Sequence, residues 1–274
     1  MSEMSPNNVT ILGVSLNSTS RQRVLEEIVN FEANQARLPA GRQSLLVFTP
    51  NPEFLVEADK DENFKEILNK GDINLPDGVG IILAGKLLAT PIRERVSGAD
   101  VVGDLLAYGN CRGKWTIGIV GARRAVLEES TELVKRLQQK YPNVNFVNLD
   151  QLEINSKHEI RNTKQIQNSK SKIQNVSDFD IRISDFNVVF ACYGMKKQEE
   201  WIMENKDRVS ATVFMGIGGS LDFITGFTKR APSFIRQVGL EWLWRGLQRP
   251  SHFKRVWKAT VVFSWLVLKE RFKF

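Results

Sequence analysis

The chain has 274 residues, 42% hydrophobic and 25% charged, which reads as globular with ample material for a core. Its net charge of +7 is unevenly spread: residues 227–274 hold eleven Lys/Arg against Glu241 and Glu270, about +9, leaving residues 1–226 near −2. Cys111 and Cys192 fit no metal or redox spacing and suit a reduced cytoplasm, and with only His158 and His252 present a metal centre is not expected.

Taken in chain order, the opening MSEMSPNNVT has neither the basic nor the apolar region of a secretion signal. Short apolar runs then alternate with helical patterns. VTILGVSL leads into a helix near Ser20–Phe31, and SLLVFT into a helix over Pro52–Lys70 closed by Gly71. WTIGIVG precedes a helix over Ala122–Lys140, stopped by Tyr141 and Pro142. FNVVFACYG is followed by MKKQEEWIMEN, and ATVFMGIGG by SLDFITGF. Buried strands alternating with helices predict an α/β fold, a mostly parallel sheet covered by helices on both faces. Ligands of such sheets bind where strands pass into helices, which is where Thr49, Asn51, Gly121, Gly194 and Gly216–Ser220 fall. Residues 37–43 and 151–184 break the alternation and read as polar surface insertions, with His158 an exposed bystander.

Four loops carry candidate chemistry. In TPNPEF, Asn51 can cap a helix with Pro52 and Glu53 in its first turn, while the Thr49 hydroxyl is free to face a ligand. In LPDGVG, residues 75–80, Pro-Asp-Gly is ordinary turn chemistry, yet it sets the single carboxylate of Asp77 between two apolar segments. In RERVSGAD, Ser97 and Asp100 form an S-x-x-D capping box opening a helix over Ala99–Tyr108. Arg95 lies just outside that box, a side chain suited to a diphosphate. GIGGSLDF is a glycine-rich loop that lets a ligand approach the backbone, but Leu221 removes the dinucleotide fingerprint. The acid pairs Asp59/Asp61 and Asp178/Asp180 are not metal motifs: the first diverges by about 200° on a helix, and the second lies in the insertion.

The tail mixes four tryptophans (Trp242, Trp244, Trp257 and Trp265) with Arg and Lys at helical spacings. It reads either as a helical pair packed on the body or as an interfacial helix on anionic lipid. Nucleic acid is disfavoured as its partner by so rich an apolar run. That run, Ala259–Leu268, falls short of the ~20 residues a membrane span needs. On residues alone, three readings stay open: a transferase, a Rossmann-type nicotinamide oxidoreductase, and a non-enzymatic basic membrane adaptor.

Together, TPNPEF, LPDGVG, RVSGAD, GMKKQEEWI, GIGGSLDFITG and RAPSFIRQVGLEWLWRGLQRP resemble, in order and from about residue 9 onward, the WecG/TagA/CpsF family, glycosyltransferase family 26. The resemblance implies a Rossmann-like catalytic domain over 1–226 and a membrane-engaging helical appendage over 227–274. It implies an inverting, metal-independent enzyme without cofactor, on the inner face of the cell membrane. Such an enzyme moves an N-acetylhexosamine, in characterised members N-acetylmannosamine, from its UDP form to GlcNAc on a polyprenyl diphosphate. Asp77 would be the general base, ionised at neutral pH with an ordinary pKa of ~3.9. Thr49 and Asn51 would line its pocket, Arg95 and Gln198 would steady the sugar or its diphosphate, and Gly218, Gly219 and Asp222 would contact the nucleotide. Arg230, Arg245 and Arg255 would close over the diphosphates at the anionic membrane, and a homo-oligomer is compatible with all of this. Three departures stand out: Lys196 replaces the proline of the family's G-x-P-K-Q-E, RPSHFKR replaces E-P-x-R-x-x-R, and a Gly-Tyr-Phe stretch is absent.

Overall fold

A computed structural model describes residues 7–34, 44–151, 186–237, 239, 241–248 and 250–272; side chains at 7, 237, 245–255 and 258 are outside that description. The expected insertion at 37–43, and that at 151–184 beyond its first residue, with His158, lie outside the described residues.

A hairpin of β1 (Asn7–Ile11) and β2 (Val14–Ser18) opens the chain, and the helix α1 (Arg21–Asn34) follows. The main sheet holds β3 (Leu45–Phe48), β4 (Ile73–Asn74), β5 (Trp115–Val120), β6 (Val144–Asn148), β7 (Phe186–Ala191) and β8 (Ala211–Gly216). All its neighbours run parallel, in the order β4-β3-β8-β7-β5-β6, with Val47 opposite Ile73, Leu46 opposite Phe214 and Ile117 opposite Val188. The predicted α/β class, Rossmann-like with a mostly parallel sheet, is what the chain forms.

Between the strands run α2 (Pro52–Lys60), α3 (Glu62–Asn69), α4 (Val79–Leu87), α5 (Gly98–Arg112), α6 (Leu127–Lys140) and α7 (Lys197–Asn205). After β8 come α8 (Ser220–Ile224), α9 (Ser233–Gln237), α10 (Glu241–Gln248) and α11 (Pro250–Phe272). Alternation along β3 divides the core: Leu46 and Phe48 face one hydrophobic cluster, Leu45 and Val47 the other. The first cluster takes α2, α3, α4, α7 and the hairpin, together with Phe263, Leu266 and Val267 of α11; the second takes α1, α5 and α6. The sheet is therefore covered on both faces, as expected. The predicted aromatic tail is helical, and α11 packs on α2 and α4. No helix among the described residues is long and apolar enough to cross a membrane.

Two elements differ from expectation. The helix over Pro52–Lys70 breaks at Asp61, whose carboxylate caps α3 through the Phe64 amide and pairs with Lys196. The helix over Ala122–Lys140 starts later, because Arg123, Arg124 and Ala125 take left-handed backbone conformations in a short 3₁₀ turn, Ala122–Ala125.

Candidate active site

The carboxyl ends of β3, β7 and β8, with the loop before α4, open into one cavity of about 750 Å³. Thr49, Asn51, Asp77, Arg95, Gln198, Gly218 and Gly219 all line it, so seven side chains or glycines scattered over 170 positions meet. Glu241 and Trp242 of α10, Ser97 and a stripe of α11 complete the wall.

Asp77 owes its position to main-chain strapping. The Leu75 amide donates to Phe48 O at 2.8 Å, Asp77 N to Pro50 O at 2.9 Å, and Val96 N to Pro76 O at 3.2 Å. Gly78 takes φ +123°, and a Cβ there would stand 3.3 Å from Pro52 Cδ, so the Pro-Asp-Gly turn requires its glycine. Asp77 Oδ2 accepts the Gly98 amide at 3.2 Å, which makes Asp77 a cap of α5. The expected capping box is absent: Ser97 makes no side-chain cap bond, and Asp100 binds Arg230 at 2.6 Å. A guanidinium brought in from the tail region outcompetes a local amide for that carboxylate.

Asn51 caps α2 as expected, its Oδ1 accepting Glu53 N at 2.8 Å and Phe54 N at 3.2 Å. The Thr49 hydroxyl, expected to face a ligand, donates to Gly216 O at 3.2 Å and so ties β3 to β8 at the cavity floor. Arg95 donates to Arg236 O at 3.2 Å from its place in the wall.

Gln198 is buried, with its Oε1 accepting the Gly218 amide at 2.8 Å and its Nε2 donating to Glu199 Oε1 at 2.7 Å. Glu199 is fully buried, and its Oε2 accepts the Lys196 amide at 2.8 Å. Burial pushes the Glu199 carboxyl up to about 7, against the hydrogen bonds from Gln198 and the backbone. Gly216 is wedged against this pair: a Cβ there would lie 2.8 Å from both Gln198 Nε2 and Glu199 Oε1. Glu199 is a buried residue that the sequence does not single out: it stands there only within the GMKKQEEWI motif, beside Gln198.

Two expected residues are not among those lining the cavity. Asp222 accepts from Arg123 at 3.3 Å, and Arg230 bridges Asp100 at 2.6 Å and Glu241 at 3.3 Å. Arg230 thereby holds the start of α10, whose Glu241 does line the cavity, to the start of α5. Arg245 and Arg255 fall in α10 and α11, with side chains outside those described. Among the described residues no three His, Cys, Asp or Glu side chains gather into a metal-binding group.

The chain is similar to proteins named N-acetylglucosaminyldiphosphoundecaprenol N-acetyl-beta-D-mannosaminyltransferase. Those of Staphylococcus aureus strains MW2, NCTC 8325 and MRSA252 are each 27% identical over 266 residues, covering 97% of this chain and 94% of the relative. The model of the glycosyl transferase WecG/TagA/CpsF family matches residues 9–274, and with its motifs gathered around one cavity, the chain belongs to that family.

Proposed function

We propose that this glycosyltransferase moves N-acetylmannosamine from its UDP form to GlcNAc carried on a polyprenyl diphosphate, in cell-surface polysaccharide or teichoic acid-type synthesis. The observation that carries the reading is the meeting of Asp77, Arg95 and the Gln198-held glycine loop in one cavity walled by the tail helix. The names of the relatives supply the donor sugar and acceptor class.

Asp77 takes the proton from the acceptor hydroxyl as its oxygen attacks the anomeric carbon. The bond from that carbon to the diphosphate oxygen breaks on the opposite face, UDP leaves with the electron pair, and the configuration inverts. Arg95 lines the cavity that both substrates share and provides fixed positive charge there for their diphosphates. Gln198 acts through the Gly218 amide, which it holds in the left-handed turn that the nucleotide meets. Arg245 and Arg255 close over the diphosphates when the basic tail engages the inner membrane face. Residues 1–226 form the catalytic part and 227–274 the membrane-engaging part, and the reaction proceeds without a metal.

The test is UDP release from UDP-N-acetylmannosamine with a lipid-linked GlcNAc acceptor in excess EDTA. Turnover that persists in EDTA and collapses in Asp77→Asn is expected. Dependence on a divalent ion would end the metal-free reading, and an unimpaired Asp77→Asn enzyme would remove the proposed base.

A further inference from the structure

The cavity has a second limb, built from different material. On α4 the residues facing it include Val79, Leu83 and Leu87, one turn apart. On α11 they are Val256, Ala259, Thr260, Phe263, Ser264, Val267 and Leu268, a mostly apolar stripe at i, i+3, i+4, i+7, i+8, i+11 and i+12. Of its two hydroxyls, that of Thr260 is taken up by its own helix, Oγ1 donating to Val256 O at 2.8 Å, and Ser264 is exposed. The result is an apolar groove between α4 and α11, continuous with the polar limb that holds Asp77 and Arg95.

The mouth of the groove is unusual for a surface in water. Leu83 is 59% exposed, Leu87 42% and Leu268 44%. Beyond them Trp265 and Phe272 are also exposed, with Lys269 against the Trp265 ring at 5.5 Å. Contiguous exposed apolar side chains with an amphipathic rim mark a contact surface for a protein, a ligand or a membrane. A protein segment would match the apolar limb alone. A ligand whose anionic head is covalently joined to a hydrocarbon chain matches both limbs: Arg95 complements the head, and the α4–α11 stripe complements the chain.

We propose that the α4–α11 groove seats the first isoprene units of a prenyl diphosphate, with its diphosphate toward Arg95 and its chain leaving past Leu83, Leu87 and Leu268. The proposal rests on the acceptor class of the function proposed above, and assigns that acceptor's hydrocarbon a path. The stripe from Ala259 to Leu268 covers ten residues, about 14 Å from first to last at the helical rise, which spans about three isoprene units. The wall thus selects for a chain of at least that length and leaves the remainder to the bilayer.

Soluble prenyl diphosphates of one, two and three units (dimethylallyl, geranyl and farnesyl diphosphate) test this by titration calorimetry on the full chain, without membrane or turnover. Affinity should tighten by at least about a hundredfold from one unit to three as apolar surface is buried. Leu83→Gln and Leu268→Gln, both at exposed positions where folding is not at stake, should lose roughly tenfold for the three-unit ligand and almost nothing for the one-unit ligand. Affinity that is indifferent to chain length, or equal tightening in both variants, overturns the groove. Chain-length-dependent binding without sugar transfer to any GlcNAc-bearing prenyl diphosphate overturns the proposed activity and leaves the groove supported.

Discussion

The two sides of the polar limb are held in shape by different means. On the β3–β4 side the main chain does most of the work: two backbone hydrogen bonds tie Leu75 and Asp77 to the end of β3 and the turn after it, and a third closes Val96 on Pro76. On the β7–β8 side buried side chains do it: Glu199 orients Gln198, Gln198 holds the Gly218 amide, and Gly216 leaves room for both. A group positioned by backbone can be exchanged with little structural cost, whereas one positioned by a buried polar relay cannot, because each member leaves another unsatisfied.

The largest expected effect separates chemistry from structure. Asp77→Asn should lower the rate of UDP release about a thousandfold, within the range for a general base and equivalent to about 4 kcal/mol of barrier. Its urea unfolding free energy should change by less than about 1 kcal/mol, since the amide oxygen can still accept the Gly98 amide. A large stability loss in this variant would show that the strapped loop depends on the carboxylate after all.

Glu199→Gln probes the other side through pH. The Glu199 carboxyl titrates at about 7 in the fold against an ordinary 4.5. Between these values the folded protein keeps a proton that the unfolded chain has released, so this group's contribution falls as pH rises and levels off above about 7. The loss approaches about 3 kcal/mol. Glutamine does not titrate, so the stability of Glu199→Gln relative to the parent should rise by about that amount between pH 4.5 and 7.5 in urea unfolding. A difference that stays flat with pH would place the titration elsewhere.

Gly216→Ala drives a methyl group into the same relay and should cost about 1–3 kcal/mol of stability, with KM for the UDP-sugar raised more than kcat falls. Calorimetric melting and initial rates check both. Ser97→Ala marks the small end. An N-cap serine ordinarily contributes about 1 kcal/mol, but Ser97 makes no side-chain cap bond, so the change in melting free energy should stay within about 0.5 kcal/mol.

Features fixed by local chemistry were legible in the sequence. The alternation of apolar runs and helices yielded the parallel sheet, and Asn51-Pro52-Glu53 yielded the start of α2, because a cap and its amides lie within three residues. Gathering Asp77, Arg95 and Gln198 needed the family resemblance as well, since spacing alone does not place three loops at one sheet edge. What failed did so where a distant partner overrode a local rule. Asp100 left its capping box for Arg230, 130 positions away, while Asp61, which ends α2 and caps α3 through the Phe64 amide, also pairs with the distant Lys196. The burial of Glu199 depends on the packing of α7 over β7 and β8, which leaves no periodic trace in a short charged helix.

The contribution of α11 to the central core has a practical corollary for anyone shortening the protein. Phe263, Leu266 and Val267 share a cluster with residues of the sheet and the hairpin, and Glu270 accepts the Leu12 amide at 3.1 Å in the hairpin turn. Removing the tail to improve handling would strip a hydrophobic cover from Ile81 and Ala84, and leave the hairpin turn without its clasp. A clipped version is expected to self-associate and precipitate for reasons unrelated to lipid attachment. Replacing only the outward Trp265 and Phe272 with polar residues is the gentler route to a tractable enzyme.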